Sequence, residues 1–252
     1  MVSAKMRNTL IEVCVDNIES LHTALEAGAK RIELCAALSV GGITPSWAFA
    51  NYAVKNSPVP VYTMIRQRAG DFLFSPSEID MMNDEVQMMR ELGAGGIVIG
   101  ALNADASINL QASQKWIDSA GDLGITFHRA FDVVQDWQYS LEQVIALGCE
   151  RILTSGQQAT AELGKQQLKQ FVERADGRLS IMPGCGVNTN NALDLIELTG
   201  AHEIHLSGKA QRPSAMIDLG TQVSMGAEAS GDQFIDVTDF NKVNQVVRLL
   251  NG

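Results

Sequence analysis

The stretch "EAGAKRIEL" (residues 26–34) has three counterparts further along the chain: "ELGAGGIVI" (91–99), "ALGCERILT" (146–154) and "LTGAHEIHL" (198–206). Each closes a helix-like pattern, places a glycine, and opens a β-rich run two or three residues later. Gly28, Gly93, Gly148 and Gly200 thus stand where a helix end calls for a left-handed residue. They are 65, 55 and 52 residues apart, about twice the length of one β/α unit. One further strand therefore belongs in each gap, and one before the first. "LIEVCV" (10–15), "VPVYTMI" (59–65), "GITFH" (124–128) and "RLSIM" (178–182) fill those places. Helix-like stretches such as 17–27, 75–91, 109–121, 136–147, 159–175 and 188–198 alternate with them. Strands separated by single helices pair in parallel. Eight such units in a chain of this length predict a closed (β/α)8 TIM barrel of the α/β class.

The rival architecture, an open doubly wound sheet, lacks its marker: no G-x-G-x-x-G follows the first strand. No nucleotide cofactor is expected on that ground. No linker divides the chain, so residues 1–252 read as a single domain. Its core is residues 10–206, followed by an irregular C-terminal arm (207–238) and a final helix (239–250).

Composition narrows the function. The net charge of −10 argues against a nucleic-acid partner, which needs clustered Lys and Arg. No run is long enough to span a membrane, and no apolar stretch follows the basic start "MVSAKMRN" as in a signal peptide. The expected compartment is the cytoplasm. There, four cysteines (14, 35, 149 and 185) are free thiols rather than disulfides.

Side chains alternate along a strand. Ile11, Val13, Val15, Ile32 and Leu34 take the parity of the helix layer, leaving Glu12, Cys14, Arg31, Glu33 and Cys35 to the barrel interior. A carboxylate in a core is costly unless paired, so Glu33 answers to something inside. Barrel active sites are built at the C-terminal mouth. The same parity sends Arg66, His128 and His205 to that mouth, with Arg129 and Asp132 in the loop after the fifth strand. Each group taken singly reads equally well as structural, and Glu12, lower on its strand, more readily so. Taken together they read as a site. Gly184 and Gly186 after strand seven, with Ser207 and Gly208 after strand eight, fit the anion-binding corner of such barrels, or two tight turns that need glycine.

Cys14 and Cys35, on adjacent strands roughly 5 Å apart, could place two sulfurs on one soft ion such as Cu(I). Cys149 precedes a strand at the opposite end and reads as packing. The methionines of "MMNDEVQMM" (81–89) repeat at seven residues, as on a buried helix face.

Together, "RIELCAAL" with "GGITPS", "MIRQRAGDF", "GIVIGAL", "TFHRAFD", "RILTSGQ", "MPGCGV" and "EIHLS" resemble the CutC copper-homeostasis family, from about residue 10 to 216. One departure is Gln67, where the family commonly has Pro. The resemblance implies a cytosolic TIM barrel that forms a homo-oligomer such as a dimer and is associated with control of intracellular copper. It also implies that Cys14 and Cys35 match the family's mouth cysteines, and that Glu12, Glu33, Arg66, His128, Arg129, Asp132 and His205 match its polar mouth cluster. Two functions follow. One is Cu(I) binding through Cys14 and Cys35. The other is an enzyme acting on a small anionic or phosphorylated metabolite, with Arg66 and the last two loops holding the anion and Glu33 or His128 as general base.

Overall fold

The computed structural model describes residues 9–217 and 231–252. Eight parallel strands run β1 (Leu10–Val15), β2 (Arg31–Leu34), β3 (Val61–Met64), β4 (Gly96–Ile99), β5 (Gly124–Phe127), β6 (Arg151–Thr154), β7 (Ser180–Pro183) and β8 (Glu203–Leu206). They lie in the order β7-β6-β5-β4-β3-β2-β1-β8. β8 has come round to hydrogen-bond to β1, so the barrel is nearly closed, and the β7–β8 seam carries no ladder among the described residues.

Among the described residues eight helices surround it: α1 (Ile18–Glu26), α2 (Trp47–Asn56), α3 (Pro76–Leu92), α4 (Leu110–Ala120), α5 (Trp137–Ala146), α6 (Ala161–Ala175), α7 (Ala192–Thr199) and α8 (Phe240–Asn251). Their starts are written locally. Asn17, Ser46, Asn109, Asp136, Thr160 and Asp239 each accept a hydrogen bond from a first-turn amide, satisfying donors that a helix end leaves open. Ser75 and Glu78 form a reciprocal capping box on α3. The four repeat glycines all have positive φ, at 101°, 73°, 79° and 75°. α2 fills the one β-to-β gap for which no helix was read.

Strand parity holds. Ile11, Val13, Val15, Ile32 and Leu34 belong to the large core between barrel and helices. Inside the barrel, Cys35, Tyr62, Met64 and Val98 form a smaller apolar cluster. On α3, Met82 and Met89 are buried while Met81 and Met88 are exposed, so only one register of the methionine repeat packs.

The arm expected to be irregular is corrected. Lys209–Pro213 (β9) and Phe234–Thr238 (β10) pair as an antiparallel ribbon. The sequence hides this pairing because β9 mixes Lys209, Gln211 and Arg212 with Ala210 and Pro213, and the partner strands are distant in sequence. The stretch 218–230 within that arm lies outside the described residues. No helix among the described residues is long and apolar enough to cross a membrane.

Candidate active site at the barrel mouth

Below the mouth, the barrel floor is an ion-pair network. Arg31 pairs with both Glu12 and Glu203. Arg151 reaches Glu203 at 3.1 Å and Glu150 at 3.0 Å, and both guanidiniums lie over the Tyr62 ring. Glu12 is fully buried and spends one oxygen on Arg31, so it belongs to this floor. Arg31, although on the same strand and of the same parity, does not pair with Glu33.

One layer higher, Glu33 is aligned with Cys14 across the β1–β2 ladder, and Glu12 with His205 across β1–β8. Glu33 Oε2 lies 2.9 Å from His205 Nε2. Burial would raise the Glu33 pKa, but the charge and hydrogen bond of His205, with His128 and Cys35 adding, hold it below the usual carboxylate range. Burial alone would depress His205. The Cys14 sulfur and the Glu33 carboxylate raise it well above the ordinary imidazole value instead. Cys14 Sγ, a Glu33 oxygen and a His205 ring nitrogen all lie within 4.8 Å of one another. The Cys14 thiol is pushed up, chiefly by burial.

Cys35 is not part of that trio. It sits in the inner apolar cluster with Sγ 3.8 Å from Glu33 Oε2, its pKa raised far above the ordinary thiol value by burial and by Glu33. Cys149 is buried away from the mouth, its thiol pushed up to about 12 by burial.

Arg66 is buried. Its guanidinium donates to the carbonyls of Val40 (3.2 Å), Gly42 (3.0 Å) and Gly70 (2.8 Å) and stacks over Phe72. Among the described residues no carboxylate reaches it, and its Nε has no hydrogen-bond partner. Burial, with Arg68 nearby, lowers its pKa. Gln67, the departure from the family pattern, donates to Glu85 at 2.6 Å. Glu85 accepts from Thr44 at 2.8 Å, and Thr44 Oγ1 accepts from the Arg66 amide at 2.8 Å. Gln67 thus ties the β3 loop down with a side chain rather than a proline ring.

His128 is buried against Phe72, ring centroids 4.9 Å apart. Its Nδ1 accepts the Ala130 amide proton at 3.1 Å, and Nε2 has no partner among the described residues. Burial, with Arg66 adding, lowers its pKa to about 4. The ring is therefore neutral near pH 7, and with Nδ1 occupied as an acceptor the remaining proton sits on Nε2. His128 is a hydrogen-bond donor toward the site, not the base that its position first suggested. Gly100 makes room for it, since a methyl group there would overlap the imidazole.

Asp132 is saturated. It accepts from Thr154 Oγ1 (2.5 Å), the amides of Ser155 and Gln157, and Arg129 Nε (2.7 Å). Asp132 therefore shapes the loop after β6, while Arg129, bonded to Asp132 and to Ser155 Oγ at 2.9 Å, also lines the mouth cavity. Arg68, in the β3 loop, pairs with Asp71 and Glu78.

These groups surround a cavity of about 700 Å³ open at the mouth, within the size range of small-molecule sites. Cys14, Glu33, Arg66, His128 and His205 line it, and so does Phe72, which parity could not flag because it lies in a loop. Of the expected anion corner, Gly186, Ser207 and Gly208 line the cavity. Gly184 instead packs against Leu153 and His205. β8 leads into the ribbon rather than directly into a helix, and the start of α8 returns to this corner, where the Asp239 amide donates to the Gly208 carbonyl at 2.9 Å. Gly186 has φ +75° and faces Thr160, so valine there would strain the backbone.

Comparison with known proteins agrees with the geometry. Residues 9–210 match the CutC family. A family protein CutC of Pasteurella multocida is 52% identical over 94% of this chain and 96% of its own. One of Vibrio campbellii is 46% identical over 97% and 100%. A crystal structure of CutC from Streptococcus agalactiae, a protein provisionally assigned to copper homeostasis, superposes with a TM-score of 0.75 at 32% identity, covering 78% of this chain and 97% of that one. The chain belongs to the CutC family.

Proposed function

We propose that this CutC-family barrel is an enzyme acting on a small anionic metabolite by acid–base chemistry in the mouth cavity. One observation carries the reading: among the described residues, Glu33 Oε1, Arg66 Nε and His128 Nε2 are all buried without partners, on residues that line the same cavity. Buried polar atoms are paired in most proteins, and exceptions ask for an explanation. A ligand bearing an anion and a hydrogen-bonding oxygen would complete all three. A lone metal ion would fill little of about 700 Å³ and would not answer Arg66. Native mass spectrometry of protein taken from cells under reducing conditions tests this: a bound anionic metabolite is expected, and recovery of copper alone would count against it.

Copper handling is a second reading, supported by the trio of Cys14, Glu33 and His205 and by the provisional assignment of the Streptococcus agalactiae relative. Thiolate and imidazole suit Cu(I), whereas a carboxylate is a hard ligand that suits it poorly. Loading would require the Cys14 thiol proton and the proton shared by His205 and Glu33 to leave, so affinity would weaken as pH falls. Titration of the reduced protein with Cu(I) against a competing chelator tests it. Cys14→Ser should abolish tight binding and Cys35→Ser should weaken it much less. Equal losses would restore a two-cysteine site. In both readings the protein works in the cytoplasm, where its four free cysteines stay reduced.

A further inference from the structure

Resting on the small-anion enzyme reading, we infer that the substrate carries a carbonyl group beside its anionic end, and that the reaction is proton transfer at the carbon next to that carbonyl. Two neighbouring groups point to this chemistry. His128 presents an Nε2–H with no partner, its ring fixed by the Ala130 amide on Nδ1 and by Phe72 on its face. A neutral, pre-oriented imidazole is a donor suited to oxygen that gains negative charge during reaction. Glu33 keeps Oε2 on His205 and leaves Oε1 free. It is a carboxylate with a buried, unpaired acceptor, on a residue that lines the same cavity. A donor without an acceptor and an acceptor without a donor, beside a cation held on loop carbonyls, match three features of one molecule.

The step balances within these groups. The carbon–hydrogen bond breaks and its proton goes to Glu33 Oε1. Its electron pair forms a carbon–carbon double bond, and the carbonyl π pair moves onto oxygen, where His128 Nε2–H holds it. Return of the proton to the same carbon, or to the former carbonyl carbon of a hydroxy-carbonyl compound after proton exchange between the oxygens, completes an exchange or an isomerisation. No oxidant or reductant is consumed. His128 and Glu33 are the catalytic residues, and Gly100 is a positioning residue, since it alone leaves room for the ring.

The test incubates the full chain in D2O with pyruvate and, separately, with dihydroxyacetone phosphate, and follows loss of the carbon-bound proton signals by NMR. Protein-dependent exchange of at least one probe is expected. Glu33→Gln should abolish it. His128→Leu should slow it roughly 100-fold, the effect of losing one oxyanion donor, and His128→Gln, which restores an amide donor, should recover part of the rate. Exchange that survives His128→Leu unchanged overturns the inference. Stabilisation by inorganic phosphate without exchange of either probe overturns it too, while leaving the anion-site reading intact. Absence of both effects overturns the two together. Should His128→Leu fail to fold, ¹⁵N NMR of the histidine rings in the parent protein decides: a proton on Nδ1 of His128 refutes the assigned donor.

Discussion

Glu33 Oε2 and His205 Nε2 meet at 2.9 Å across strand β1, joining β2 to β8 inside the barrel. The pair ties together two strands that are not neighbours, at the end of the barrel where the sheet closes.

A two-sided pH dependence follows. The Glu33 carboxyl lies below its ordinary value in the folded chain. Its contribution is present above about pH 4.3 and is lost as pH falls through the folded value. His205 lies well above its ordinary value. Its contribution is complete below about pH 6.5 and is lost as pH rises through the folded value. Urea denaturation across the pH range should show stability declining on both sides. His205→Gln should flatten the alkaline limb, and an unchanged alkaline limb in that variant would show that the pair is not ionised.

His128 acts in the opposite sense to His205. Its folded value of about 4 means that the unfolded chain takes up a proton which the native ring refuses. Stability should therefore fall between about pH 6.5 and 4, by up to about 3 kcal/mol. His128→Asn should remove this slope from the denaturation series. If the slope persists, the ring is not buried in neutral form.

The floor and the mouth should answer differently to loss of charge. Glu12 is enclosed with Arg31, and Glu12→Gln leaves that guanidinium with Glu203 alone. A broken buried pair typically costs ~3–5 kcal/mol. Glu33→Gln should cost less, because Glu12 Oε1 stands 3.9 Å from His205 Nε2 and offers the imidazolium a second carboxylate. Chemical denaturation of both variants checks the ranking. A larger loss for Glu33→Gln would make the mouth pair a structural element.

How far the sequence reaches is visible in these same residues. Period-two alternation and the helix-closing glycines foretell the strands and the inward set, because both are local properties of the backbone. Alternation fixes which way Glu33 faces but not which partner it meets. The partner depends on strand stagger around the closed sheet, which brings His205 over β1 to Glu33 and leaves Cys35 among Tyr62, Met64 and Val98. The setting of Arg66 is made by loop carbonyls, and carbonyls have no signature in residue type. The ribbon escapes for a similar reason: Lys209 pairs with Thr238, far apart in sequence, and the apolar residues of β10 meet a strand that answers them only with Ala210 and Pro213. Other signals were present but only intelligible in three dimensions. Gly96 and Gly124, each opening a strand, leave space for the Tyr62 ring that lies against both.

The final prediction concerns Arg66, on which the anion reading turns. Its charge is held by three carbonyl dipoles and an aromatic face, with no carboxylate within ion-pair distance among the described residues. A buried cation so placed gains most from an anion that brings both charge and acceptors. Binding to the native state alone stabilises by about 2.7 kcal/mol at a hundred times the dissociation constant. For a chain of this size that corresponds to a rise of roughly 5–10 °C in Tm. Inorganic phosphate should produce such a rise in the parent protein, following the saturation of one site. Arg66→Met keeps the apolar stem on Phe72 but removes every donor, and should abolish the phosphate-dependent rise whatever its own starting Tm. Arg66→Lys restores a point charge without the planar fork and should recover only part of it. A full rise in Arg66→Met would place the anion elsewhere on the cavity wall, which also carries Arg129, Lys209, Lys242 and the Gly186 loop leading into α7.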